Sequence, residues 1–441
     1  MRILLIAYEF PPSPSAQSLR WAYLSGRLAA LGHEVHVMAP DISGSVHGLP
    51  ILPPSIRVHR VYPGPVRSML ERLKARRPIA RTNSAPEPDS DTPRTPAIAP
   101  PKLNWKGRLV GRVQRVISEV RFPDLRGEWL RPAQRELGRL LQAIAPDVVV
   151  SSHEPATTLQ VGLNAGRAGY PWVADLGDPV LAPYTPARWR KRSGRLERDV
   201  LRGADHVMVT NERTRDLLCE RHGARFEGVS VVPQGFDEAR SGVALTPSLD
   251  ADGMTRLLYA GSFYSFRSPA ALIEAVLQVP GVRLEIASAN VPDAVAALAT
   301  RYPTRIGLLG HVSHNDILAL QRRAHVLVNL ANRDACQVPG KFYEYFGACR
   351  PILHVQSDSG DADATGDLLA KLRRGWSVPG NARSIAVCLE RIRGLHLGGK
   401  LEADVDLSAE RVAPWSWSEA ANSVAGVLED VLRHARRKVV S

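Results

Sequence analysis

Lys341 and Glu344 stand three residues apart in HVLVNLANRDACQVPGKFYEYFGACRPILHVQ, directly after a Pro339-Gly340 pair. The spacing puts them on one face of a helix. An apolar strand opens this segment at 325–330, and another closes it at 351–355. A helix N-terminus gathers exposed N–H groups and partial positive charge. A lysine there suits a diphosphate, and a carboxylate one turn deeper suits paired sugar hydroxyls. The bland reading is an ordinary helix with an acid in its first turn. In YAGSFYSFR, Gly261 and Ser262 are small enough to let backbone approach a phosphate, and Arg267 offers a bidentate cation. His153 follows the apolar run DVVVSS, where it serves as acid, base or hydrogen-bond donor, or simply packs. Asp175 and Asp178 in WVADLGDPV suit acceptor hydroxyls or base chemistry, and equally a helix cap or a loop brace.

These residues need a scaffold that brings strand ends together. Short apolar runs alternate with amphipathic stretches: Ile3–Ala7, Glu34–Ala39, Asp147–Ser151, Trp172–Asp175 and His206–Thr210 read as strands with helices between them. The pattern restarts at Arg256–Ala260, Arg283–Ala287, Arg305–Leu309, 325–330 and 351–355. Fully apolar strands between helices imply parallel sheets covered on both faces. We expect an α/β chain of two Rossmann-like domains: residues 1–236, residues 250–412, and a C-terminal amphipathic helix within 413–441. The turn-rich stretch Val231–Asp252 is the seam. Residues 78–101, rich in proline and poor in large apolar groups, read as a disordered excursion. Residues 102–120 interleave Trp105, Leu109, Val113 and Val116 with Lys106, Arg108, Arg112 and Arg115. That helix either lies on an anionic membrane or packs its apolar stripe on the core.

The chain's 441 residues suit about two domains. No apolar run reaches the ~20 residues of a membrane span, and the opening MRILLIAYEF reads as a first strand rather than a leader. Four cysteines without a C-x-x-C pair fit free thiols in a reducing cytosol, so a cytoplasmic protein is expected, with peripheral contact to the inner membrane face through 102–120. The net charge of +13 favours anionic partners. With no zinc spacing, RNA-binding aromatic signature or helix-turn-helix, nucleotide phosphates or lipid headgroups explain it better than nucleic acid.

The P-x-K-x-x-E-Y signature at 339–345 resembles the donor site of glycosyltransferase family 4, and the likeness extends over nearly the whole chain. AYEFPPSPSAQSLRWAYLSGRLAALGHEVHVMAP is similar to the family's first strand, loop and helix, with Ser15 and Ala16 where paired glycines are usual. WVADLGDPV resembles the D-x-R-D-P segment of a polysaccharide-associated branch, with Gly177 replacing the arginine. The resemblance implies a GT-B fold, a nucleotide-sugar donor, and retention of anomeric configuration. It also implies that Arg267 and Lys341 stabilise the leaving diphosphate without a metal or other cofactor. Gly261, Ser262, Gly340 and Glu344 then form the donor site, with Glu344 on the ribose and His153 beside the sugar. Ser15, Ala16, Asp175 and Asp178 lie on the acceptor side. Many members carry a second glutamate eight residues before the first; here that position is Cys336, with Asp334 nearby.

The leading expectation is a hexosyltransferase acting on a glycan or lipid-linked acceptor in surface polysaccharide or glycolipid assembly. A catalytically inactive nucleotide-binding scaffold is the alternative, and a nucleotide-sugar epimerase a third reading. No G-x-G-x-x-G follows a strand, which disfavours a dinucleotide oxidoreductase.

Overall fold

The computed structural model describes residues 1–44, 49–75, 122–183, 185–223, 226–240, 252–263, 268–332, 334–357 and 362–440. The expected excursion at 78–101, the basic helix at 102–120 and Arg267 lie outside the described residues.

Seven parallel strands form the first sheet: β1 (Arg2–Ala7), β2 (Glu34–Pro40), β3 (Arg57–Val61), β4 (Val148–His153), β5 (Trp172–Leu176), β6 (His206–Val209) and β7 (Val229–Val231). Their spatial order is β3-β2-β1-β4-β5-β6-β7. The second sheet has six: β8 (Thr255–Ala260), β9 (Val282–Ala287), β10 (Ile306–Gly310), β11 (Val326–Leu330), β12 (Ile352–Val355) and β13 (Gly375–Val378), ordered β10-β9-β8-β11-β12-β13. Each order reverses once, between β1 and β4 and between β8 and β11. In a doubly wound sheet the crevice beyond such a switch point binds ligand. Both switch points feed the functional residues described below.

The strands read from sequence are the apolar ones. β3, β7 and β13 were not read, because they are short edge strands with polar or half-exposed residues. β4 runs two residues further than its apolar run, so His153 is its last residue rather than the residue beyond it.

Each sheet is covered on both faces. Leu4, Ile6, Trp129, Leu137 and Leu159 pack on one side of the first sheet, and Leu5, Trp21, Leu24 and Val37 on the other. The second core layer of the first domain also takes in the last helix, Trp417–Val440. Its Trp417, Ala421, Val424, Leu428 and Val431 recur at helical spacing and pack on the helix Ala16–Ala30. Trp417 stacks on Tyr23 with centroids 5.2 Å apart. Trp415, two residues earlier, packs instead against Phe346 in the second domain. The chain thus crosses between domains within three residues. The two crossovers hold each other there: the Phe236 N–H donates to the Trp415 carbonyl (3.1 Å), and the Trp417 N–H donates to the Phe236 carbonyl (3.0 Å).

Candidate active site

Two clefts of about 780 and 790 Å³ open between the sheets. Both are lined by Ser15, Ala16, Gln234, Gly261, Ser262, Gly340 and Lys341, so they meet at one waist. The first cleft extends into the first domain past Glu9, His153, Glu154, Asp178 and Trp189. The second extends over the second domain past Ala287, Gly310, His314, Gln321 and Glu344.

At the waist, Lys341 opens the helix Gly340–Gly347, whose N-cap is Pro339 and has no side-chain cap. Its ammonium lies 3.9 Å from the Tyr259 ring centroid. A ring face attracts a cation without neutralising it. Gly261 has φ +142°, a conformation other residues rarely adopt, and a Cβ there would come within 3.2 Å of the Lys341 Nζ. Tyr259 also donates its hydroxyl to the Ser262 carbonyl at 2.9 Å, bracing the loop. On the facing domain, Ser15 caps the helix Ala16–Ala30 by accepting the Ser18 N–H at 3.0 Å. A Cβ on Gly340 would sit 3.5 Å from that of Ala16. The two helix starts therefore nearly touch across the cleft.

Glu344 faces the second cleft one turn deeper, with His314 Nδ1 at 3.9 Å. Burial pushes its carboxyl up to about 7, against the lowering effect of Lys341. Gln321 lines the same cleft almost fully buried, and its Oε1 has no hydrogen-bond partner among the described residues. Sequence reading did not single it out, because a glutamine inside an amphipathic helix carries no local signal.

His153 lines the first cleft while only 5% exposed, and its Nδ1 has no hydrogen-bond partner among the described residues. Nearby, Asp124 accepts the Thr157 N–H and hydroxyl, both at 2.9 Å, and so holds the helix Thr157–Arg167 from a distance. Burial raises the Asp124 carboxyl. This brace escaped sequence reading because Asp124 and Thr157 are far apart in the chain.

Asp178 also lines this cleft. Burial raises its carboxyl to about 8, Glu154 and Asp334 add to the rise, and a hydrogen bond with Gln337 of the second domain opposes it. Asp175 takes a different place from the acceptor-side position expected. It is fully buried and ion-paired with Arg20, whose Nη2 and Nε reach its two oxygens at 2.9 and 3.1 Å. Trp21 Nε1 (2.8 Å) and Gln17 Nε2 (3.2 Å) donate to it as well. A carboxylate so saturated braces the fold. Arg20 in turn donates to the Val232 and Pro233 carbonyls, fixing the start of the crossover. Gly177 packs on this cluster, since a Cβ would lie 3.1 Å from the His153 carbonyl and 3.3 Å from Gln17 Oε1. A side chain there would need these neighbours to give by a few tenths of an ångström.

Cys336 was expected to contact donor, but it does not line either cleft. Its carbonyl accepts from Asn211 Nδ2 at 2.7 Å, joining the two domains. Its N–H donates to Asp334 Oδ1 at 3.0 Å, which occupies that carboxylate too. Burial and Asp334 push the thiol up, so it stays protonated.

Two Rossmann-like domains with their switch points facing one cleft define the GT-B class. Solved structures agree across their full length. Sucrose-phosphate synthase from Thermosynechococcus elongatus superposes with TM-score 0.68 at 16% identity, covering 98% of this chain and 100% of that one. Trehalose 6-phosphate synthase from Burkholderia multivorans gives 0.64 at 13%, covering 99% of each. The Anabaena protein HepE, solved with UDP, gives 0.63 at 14%, covering 98% and 100%. Residues 85–240, the stretch holding His153, Asp175 and Asp178, match the model of Glycosyltransferase Family 4. The matched residues include the WVADLGDPV segment, while the signature at 339–345 lies beyond them. No curated protein matches the sequence.

Proposed function

We propose that this protein is a retaining glycosyltransferase that moves a hexose from a nucleotide-sugar donor to a glycan or lipid-linked acceptor, in surface polysaccharide or glycolipid assembly. The observation that carries the reading is the waist, where a donor-sized and an acceptor-sized cleft meet at Lys341. The nucleotide lies over the second domain, with Glu344 accepting from ribose hydroxyls and Lys341 beside the diphosphate. As the glycosidic bond breaks, charge builds on the departing diphosphate. The fixed ammonium and the uncapped N–H groups at Gly340 favour that charge without reorganising. No metal or other cofactor is assigned a role. His153 sits at the sugar end, and its open Nδ1 accepts or donates one hydrogen bond to it. Asp178 and Glu154 face the acceptor. Relatives solved with UDP or UDP-2-fluoro glucose support a uridine nucleotide as the first donor to try. A cytoplasmic location, with residues 102–120 near the inner membrane face and no nucleic-acid partner, completes the proposal. Among the described residues no helix is long and apolar enough to cross a membrane.

The test is thermal stabilisation by nucleoside diphosphates, with Lys341→Ala and Glu344→Ala alongside. A selective shift lost in both variants supports the donor site, and transfer from the matching nucleotide-sugar then follows. No shift with any nucleotide sinks the reading. The placement of Cys336 away from the clefts favours one alternative, a nucleotide-binding scaffold. That alternative predicts nucleotide binding without turnover on any acceptor.

A further inference from the structure

The helix Ala187–Gly203, ARWRKRSGRLERDVLRG, carries seven cations among its 17 residues. All seven (Arg188, Arg190, Lys191, Arg192, Arg195, Arg198 and Arg202) are exposed. At 100° per residue, six of them fall within an arc of about 120°, leaving out only Arg190. The opposite arc holds Ser193, Leu196, Glu197 and Val200, buried on the core. Of the helix's two carboxylates, Glu197 is buried against Arg221 and His222, and Asp199 is half-buried within the cationic arc. A solvated helix usually interleaves its charges. Here one face carries a nearly uniform positive charge.

The position of this helix is as telling as its charge. Its first turn borders the acceptor-side cleft through Trp189, and Ser193 lines it one turn on. Arg188 and Arg192 flank the Trp189 ring at 5.2 and 5.5 Å, and Arg192 also lies 5.6 Å over Phe122. Leu125, 38% exposed, lines the same rim. An aromatic and an aliphatic side chain among arginines is the composition that settles at a headgroup boundary. The cleft behind the rim is mixed in charge, since Glu9, Glu154 and Asp178 line it together with Arg126 and Lys341. A phosphate-dense surface is therefore drawn to the rim, while the polar lining behind it offers donors and acceptors to the hydroxyls of a polyol.

We propose that the helix Ala187–Gly203 docks this protein on an anionic membrane leaflet, with the acceptor-side cleft opening onto the lipid surface. The acceptor class that fits is a hydroxyl-bearing sugar end projecting from that surface. The docking surface rests on charge and position alone and holds whether or not the donor site binds nucleotide; the acceptor class rests on the transferase reading.

The experiment is co-sedimentation of the full chain with vesicles of phosphatidylcholine, alone or with one third phosphatidylglycerol. Expected is binding to the anionic vesicles only, falling with salt, since each cation near the surface adds roughly a five-fold factor. The exposed triple variant Lys191→Glu, Arg195→Glu, Arg198→Glu should bind about 100-fold or more weakly. Its melting temperature, and any shift with a nucleoside diphosphate, should match the parent, which separates lost docking from lost folding and from failure of the donor site. A parent that ignores anionic vesicles overturns the proposal, as does a triple variant that binds like the parent. So does loss confined to Lys106→Glu, Arg108→Glu, Arg112→Glu, which moves the contact to another segment. Equal binding to a DNA duplex, abolished by the same helix variant, would assign the surface to nucleic acid instead.

Discussion

Both domains bury a carboxylate beside a cation near the cleft, and they use the pair in opposite ways. In the first domain Asp175 accepts four hydrogen bonds from Arg20, Trp21 and Gln17, three on Oδ2 and one on Oδ1. In the second, Glu344 has His314 at 3.9 Å and the Lys341 charge nearby, and burial lifts its carboxyl to about 7. Lys341 likewise rests over a ring rather than on a carboxylate. An ion pair closed off in the core holds a fold, and a carboxylate whose pKa burial raises beside a cleft is a candidate to meet a ligand.

The strongest way to break this comparison is Lys341→Ala. Transfer should fall by ~10²–10³ in kcat/KM with melting temperature nearly unchanged, as for removal of one charge-stabilising donor. A large loss of stability without loss of transfer would make Lys341 the structural cation. The converse experiment is Asp175→Ala, which leaves Arg20 charged and unpaired in the core. Chemical denaturation should show a loss of about 3–5 kcal/mol. If Asp175→Ala folds with parental stability but stops transferring sugar, the two pairs have been assigned the wrong way round.

The pH dependence sharpens the contrast. Burial holds Glu344 at about 7 and Asp178 at about 8, above the ordinary carboxylate range of about 4. The folded chain then binds protons that the unfolded chain has released. The resulting stabilisation is complete below the unfolded value and disappears as pH rises through about 7 for Glu344 and about 8 for Asp178. Glu344→Gln should therefore flatten the fall of melting temperature between pH 5 and 8, by on the order of a few degrees. Nucleoside diphosphate binding, which needs the carboxylate as acceptor, should tighten over the same interval in the parent. Parallel curves for parent and variant would show that Glu344 does not titrate there. Gln321→Leu, which removes the second open acceptor of that cleft, should weaken nucleotide binding by about ten-fold. The smallest effect belongs to Cys336→Ala. Its backbone rather than its thiol makes the domain contact, so kcat/KM should stay within about three-fold. A larger loss would return the thiol to the donor site.

Much of this was legible in the chain. The apolar strands and the Pro339-Gly340-Lys341 start of a helix are local features, written by side-chain alternation and backbone geometry over a few residues. The GT-B class followed from two such series and the signature at 339–345. The polar edge strands were not legible, since pairing on one side only demands little apolar character. Nor was the role of Asp175. In sequence it looks like Asp178, a carboxylate at a strand end, and only the packing of Arg20, 155 residues away, assigns it to the core. Cys336 shows the same limit: counting back from Glu344 puts it at the donor, while the loop turns its carbonyl to Asn211. Sequence by itself determined which elements form and which residue types stand at their ends, because those depend on neighbours within a turn or a strand. Tertiary structure alone decided which charges are satisfied and which remain open to the cleft, because satisfaction depends on partners that only the folded domains bring together.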